Sequence, residues 1–213
     1  MQKVRKYLTF CTYMKTKPDY DQLYEIAEAQ AGYFTASQAK TGGFSNERLS
    51  DNAKNGRLIR ITQGVYRLHN FPGSPYEDLF VAWLRAGPSA VISHESALAV
   101  YDLSDVLPSE THLIVPRNSS RRRKGIRQHT NRLLPEEITK RHGLPITTVE
   151  RTIVDLIASG LAEEQIRQAI REALQRGLTD QENLLRQAQR AGNKASRVIG
   201  EKPTIFTKKI RVD

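Results

Sequence analysis

Cysteine is almost missing from this chain. A single Cys11 excludes an internal disulfide framework and any zinc site built on paired thiolates, and it suits a reducing, cytoplasmic setting. Long apolar runs are missing too, so no membrane span and no membrane partner are expected. The N-terminal MQKVRKYLTFCTYMKTK has basic charge but neither the apolar core nor the small-residue cleavage site of a secretion signal. Aromatic residues make up 7% of the 213 residues, with one tryptophan, and the mean hydropathy is −0.54. The core must therefore be lean and the surface strongly polar. Acidic residues are outnumbered: 23 Asp plus Glu face 33 Lys plus Arg, giving a net charge of +10, which favours a polyanionic partner. Three signatures of catalysis are lacking as well. There is no phosphate-cradling loop, no Glu-x-Lys of the kind a metal-dependent nuclease uses, and no His/Cys metal spacing. The expectation is a protein without enzymatic activity, cofactor or metal.

What is present centres on residues 35–68, TASQAKTGGFSNERLSDNAKNGRLIRITQGVYRL. Thr35 reads as an N-cap followed by a short helix over 36–41, which Gly42-Gly43 breaks. Ser45 caps a second helix over about 46–55, with Leu49 and Ala53 on its inner side and Gly56 at its end. Two β-prone runs, 58–61 and 65–68, are joined by Thr62-Gln63-Gly64 into a hairpin, hence a wing. Leu23, Ile26 and Ala27 mark an earlier helix over 19–30. Tyr33 and Phe34 are assigned to the core leading into the next helix, and Phe44 is expected to pack on Leu49, Ile59 and Val65.

Helix, turn, helix and hairpin in this order point to a winged helix-turn-helix that binds double-stranded DNA. The residues expected to touch DNA are Thr35, Ser45, Asn46, Arg48, Ser50, Lys54, Arg57, Arg60, Gln63 and Arg67. Base reading falls to Ser45, Asn46 and Arg48, because Glu47 and Asp51 oppose phosphate further along the same helix. Arg60 and Gln63 on the wing would touch backbone or minor groove.

Residues 70–75, NFPGSP, form a linker, and beyond it the pattern is mixed. Helices are expected over 76–85 and 94–101, with Ser93 as a capping residue rather than a nucleophile, since it lacks a glycine elbow. A short strand, 112–116, precedes Arg117, Arg121, Arg122, Arg123, Lys124, Arg127 and Arg132 with no intervening acid. That run reads as the tip of a hairpin returning through 126–130 and as a second phosphate-contacting surface. Thr147 or Thr148 caps a helix facing inward with Ile153, Leu156 and Ile157. Two amphipathic helices follow, over 163–176 and 180–190. The fold class is α+β. Its expected parts are a flexible basic extension 1–18, a winged domain 19–70, a linker 71–75, a mixed α/β domain with C-terminal helices 76–192, and a basic, partly extended tail 193–213. Met14 offers an alternative start to Met1.

Several of these stretches together resemble the AbiEi family, antitoxin-type transcriptional regulators of bacterial abortive-infection toxin–antitoxin operons. The N-terminal likeness rests on Thr35-Ala36-Ser37-Gln38-Ala39, Gly56-Arg57-Leu58 and Gly64-Val65-Tyr66-Arg67-Leu68. The C-terminal likeness rests on Ile92-Ser93-His94-Glu95-Ser96-Ala97-Leu98, Gly143-Leu144-Pro145-Ile146-Thr147 and Arg151-Thr152-Ile153-Val154-Asp155-Leu156. The resemblance implies a repressor of its own operon, an α/β antitoxin domain, and a nucleotidyltransferase-like toxin as functional partner, neutralised without a stable complex. Paired binding to an inverted repeat, with self-association on DNA, is the expected mode. Two alternatives from other classes stand beside it: a nuclease-like DNA-processing enzyme, and a protein-interaction scaffold whose charge serves only solubility.

Overall fold

The computed structural model describes residues 17–103, 105, 108–117 and 123–200, and the chain divides into two compact units at Phe71/Pro72. No helix among the described residues is long and apolar enough to cross a membrane.

The first unit opens with α1 (Tyr20–Glu28), whose N-cap Asp19 accepts from the Gln22 amide at 2.9 Å. After it come β1 (Tyr33–Thr35), α2 (Ala36–Thr41), α3 (Asn46–Lys54), β2 (Leu58–Thr62) and β3 (Val65–Leu68). Two of these helices start where the sequence places hydroxyl caps: Thr35 caps α2 and Ser45 caps α3. The sequence pattern does not reveal β1, which pairs antiparallel with β3 and extends the hairpin into a three-stranded sheet, β1-β3-β2. Three residues are too short a run to show an alternating pattern.

Register also corrects the expected core. Phe34 lies opposite Tyr66, and Leu58 opposite Leu68, so these side chains share the face that packs on Leu23, Ala27, Ala39, Phe44 and Leu49. Ile59 and Val65, expected against Phe44, fall on the other face, because side chains alternate along a strand.

Gly32 closes the turn between α1 and β1 at φ +88°, and its carbonyl accepts from the Leu68 amide at 3.0 Å. A Cβ there would lie 2.5 Å from the Phe71 ring. Gly32→Ala should therefore cost about 1–3 kcal/mol through a disfavoured backbone and a displaced ring. Faster exchange of the Leu68 amide would register that cost; unchanged protection would show that the turn relaxes freely.

The second unit holds α4 (Glu77–Ala86), β4 (Val91–Ile92), α5 (His94–Tyr101), β5 (Thr111–Ile114), β6 (Ile126–His129), β7 (Ile138–Arg141), β8 (Leu144–Thr147), α6 (Val149–Ser159), α7 (Glu163–Gln175), α8 (Gln181–Ala191) and α9 (Asn193–Gly200). Its five strands run in the order β6-β5-β4-β8-β7. The β7–β8 hairpin turns on His142-Gly143, both at positive φ.

Two expectations are overturned here. β6 pairs with β5 in parallel, so the two strands are not the arms of a hairpin. Residues 193–200 form a helix that buries Ala195, Val198 and Ile199 against α6 and α8, so the compact unit continues past Gly192, while the rest of the expected tail, 201–213, lies outside the described residues. Residues 193–200 read as core-poor in sequence because their three apolar residues, Ala195, Val198 and Ile199, are spaced for one helical face among polar and basic neighbours. By contrast, Ile166, Ala169, Ile170 and Ala173 are the buried stripe of α7, as their spacing requires.

Candidate functional site

The first candidate surface is built on α2, the turn and α3. Thr35 and Gln38 form a capping box: the hydroxyl accepts from the Gln38 amide at 3.1 Å, and the Gln38 side chain accepts from the Thr35 amide at 2.8 Å. The hydroxyl of Thr35 is thus committed to holding α2 in place. Gly43, at φ +77°, carries the chain into Phe44, which is buried under α1 with its ring 5.0 Å from that of Tyr20. Ser45 then accepts from the Arg48 amide at 3.2 Å and starts α3.

Asn46, Glu47, Ser50, Asp51 and Lys54 form the exposed side of α3, and Leu49 is fully buried. Asn52, which the sequence pattern does not single out, is buried and donates to the Arg48 carbonyl at 2.8 Å. Arg48 is half-buried and lines a shallow cleft of about 390 Å³ with Lys17, Tyr20, Asp51 and Arg57. Arg57, Arg60 and Gln63 are exposed along and beside the wing, whose turn is tied to α2 by the Ala36 amide donating to the Gly64 carbonyl at 2.9 Å. Arg67 is placed differently from these. Its guanidinium donates to the Phe71 carbonyl at 3.3 Å and sits 5.9 Å from the Tyr33 ring centre, on the sheet face away from the core.

Of the second basic run, Arg117, Lys124, Arg127 and Arg132 are exposed and Arg123 is half-buried. Arg121 and Arg122 lie outside the described residues. The Arg132 carbonyl accepts from Arg151 at 3.3 Å, which ties the end of the run to α6.

The second unit also assembles a group of side chains that nothing in their sequence spacing connects. Parallel pairing of β5 and β6 sets His112 beside Arg127 and Ile114 beside His129, so all four occupy one face of the sheet. His94, the first residue of α5, adds its ring from the β4–α5 junction. One ring nitrogen from each of His94, His112 and His129 lies within 4.8 Å of the other two. The rings of His94 and His129 stack at 3.6 Å.

His94 holds φ +52°, a left-handed conformation that L-residues with side chains rarely adopt outside functional or over-determined sites. Ser93 stands at the N-cap position but does not cap: its hydroxyl sits 3.0 Å from His94 Nδ1. The expected capping role is thereby corrected, because the hydroxyl is turned to the imidazole.

Burial drives His94 down to about 3, helped by repulsion from His129, His112, Arg151 and Arg127. Burial likewise takes His129 to about 4, with His112 and Arg127 adding to it. Burial also lowers His112, against the pull of Glu95, whose carboxylate is 3.8 Å from Nε2. Three neutral imidazoles result near neutral pH. The expected absence of a His/Cys cluster is corrected here, because these three residues come from separate elements and no sequence spacing links them.

Residues 21–69 match the family model described as "Transcriptional regulator, AbiEi antitoxin", a span confined to the first unit. No curated protein matches the chain. Among solved structures, the chain is similar to the RV2827C protein from Mycobacterium tuberculosis at 13% identity, with 86% of this chain and 78% of that one covered and a TM-score of 0.50. At that identity the likeness speaks for the fold alone.

Proposed function

We propose, for a chain whose N-terminal unit matches the AbiEi antitoxin transcriptional regulators, a DNA-binding antitoxin that represses its own toxin–antitoxin operon. It would counteract a nucleotidyltransferase-like toxin without forming a stable complex with it. The observation that carries this reading is the family match over a winged helix-turn-helix whose α3 is capped by Ser45 and exposed along Asn46, Ser50 and Lys54. Arg57 and Arg60 flank that helix with charge suited to phosphate. Two copies would occupy the halves of an inverted repeat, because one short recognition helix reads too few base pairs for operator selectivity.

The test is a gel-shift titration on the upstream DNA of its own operon against random duplex at two salt concentrations, without metal and then with magnesium. Operator-selective binding that falls steeply with salt is expected. Arg48→Ala should reduce selectivity for the operator. Replacing Arg121, Arg122 and Arg123 should weaken operator and random DNA alike and flatten the salt slope by about one unit for each phosphate no longer neutralised. Equal affinity for both duplexes would sink the repressor reading, and magnesium-dependent cutting would replace it with a nuclease. Toxicity of the cognate toxin, relieved by co-expression without co-purification, tests the antitoxin half.

A further inference from the structure

We propose that His94, His112 and His129 form a binding site for a divalent transition-metal ion of the zinc class, buried in the second unit. On one of the three rings a nitrogen is already hydrogen-bonded, and on a second a nitrogen faces a carboxylate. Ser93 occupies Nδ1 of His94, leaving Nε2 of that ring. Glu95 approaches Nε2 of His112, leaving Nδ1, and that Nδ1 is buried without a hydrogen-bond partner. Nε2 of His129 is likewise buried and unpartnered. Each ring thus offers one nitrogen lone pair. Buried polar atoms are nearly always satisfied, so two orphans in one cluster, on side chains that face each other, call for a missing partner.

The surroundings fit a metal as well. Ligating histidines typically give their second nitrogen to a carboxylate or hydroxyl, which fixes the tautomer; Ser93 stands in that place for His94, and the Glu95 carboxylate lies 3.8 Å from that nitrogen of His112. Neutral imidazole suits zinc, cobalt, nickel or copper and not magnesium, which takes oxygen ligands. Three nitrogens leave a fourth position for water or an exogenous ligand. Zinc–nitrogen bonds of about 2.0–2.1 Å set the ligand nitrogens roughly 3.3 Å apart around a tetrahedral ion, a separation inside the 4.8 Å that bounds these three atoms. The left-handed backbone at His94 is what aims this ring from the start of α5 toward β5 and β6.

Equilibrium dialysis of the untagged, chelator-treated full chain against Zn²⁺, with Mg²⁺ in parallel, tests the site. One zinc per chain and no magnesium uptake are expected. Imidazole ¹⁵N resonances of the wild type should shift at His94, His112 and His129 and stay put at His69 and His142, a readout that needs no variant. His129→Gln should lower zinc affinity by well over tenfold. Glu95→Gln, at a more exposed position, should lower it by about tenfold with the fold intact. His142→Gln should change nothing. Absence of zinc uptake, uptake unaltered in both His129→Gln and Glu95→Gln, or ¹⁵N shifts at His69 or His142 instead would each overturn the proposal.

Discussion

Arg151→Ala should destabilise the second unit by about 3–5 kcal/mol, the loss typical of breaking a buried ion pair from one side. Arg151 Nε donates to both carboxylate oxygens of Asp155 at 3.1 Å, and its Nη1 donates to Glu137 at 2.9 Å. Asp155 is 2% exposed and Glu137 4%. Burial pushes the Asp155 carboxyl up despite Arg151. At Glu137 burial acts the same way, but bonds from the Leu134 amide, Gln187 and Arg151 outweigh it and hold the group below its ordinary value. Without the guanidinium, two buried carboxylates would lose its positive charge and keep only neutral donors of those described, the Leu134 amide and Gln187 at Glu137 and Asn131 at Asp155. Arg151→Lys should recover only part of the loss, since an ammonium cannot span both acids as the planar fork does. Trp83, the single tryptophan, lies on α4 and so reports unfolding of this unit by fluorescence without the winged unit intruding. A loss below about 1 kcal/mol would mean that water reaches the triad and screens it.

Acid should destabilise the same unit well above the range in which carboxylates titrate. In a chelator-containing buffer, unfolding free energy should hold steady above about pH 6.5 and fall as pH drops below it. The sign follows from the depressed histidines. Between 6.5 and about 3, the unfolded chain takes a proton at position 94 that the folded chain refuses, so lowering pH favours unfolding. His94 is 3% exposed, and a shift of this size corresponds to roughly 5 kcal/mol when the whole window is crossed. His129, at about 4, adds less than its own shift suggests, because the His94–His129 repulsion would otherwise be counted twice and the ring is less buried. Asp155 works in the opposite direction, since its raised carboxyl gains protons in the folded state first. The slope between pH 6.5 and 5 is therefore the cleanest reading. His94→Gln should flatten it; a flat wild-type profile in that interval would show that water solvates the cluster.

Much of this architecture was legible because it is written in short range. Thr35 and Ser45 each begin a helix by offering an oxygen to an amide three residues on, and that geometry needs no partner from elsewhere. The wing hairpin follows from two β-prone runs and a glycine at φ +77°. The face of α7 follows from the 3.6-residue period alone. The polar stretch of α3 and its cationic neighbours were visible for the same reason.

Other features depend on where distant segments meet. Arg67 was assigned to DNA by its position on the wing, yet pairing with β1 turns it toward Tyr33 and Phe71. Whether β6 runs with or against β5 is not encoded in either strand, since both directions use the same alternating pattern. Closure of the second unit settles it as parallel, and that choice brings His112 and His129 to one face. The Arg151 triad draws Glu137 from outside α6, and the α9 stripe becomes a core only when α6 and α8 stand beside it. The local elements, the basic charge and the winged motif are legible in the chain alone, because caps, periods and turns act within a few residues. Strand direction, the buried ion triad and the histidine cluster arise only once the chain has folded, because each unites residues whose neighbours in sequence carry no trace of the meeting.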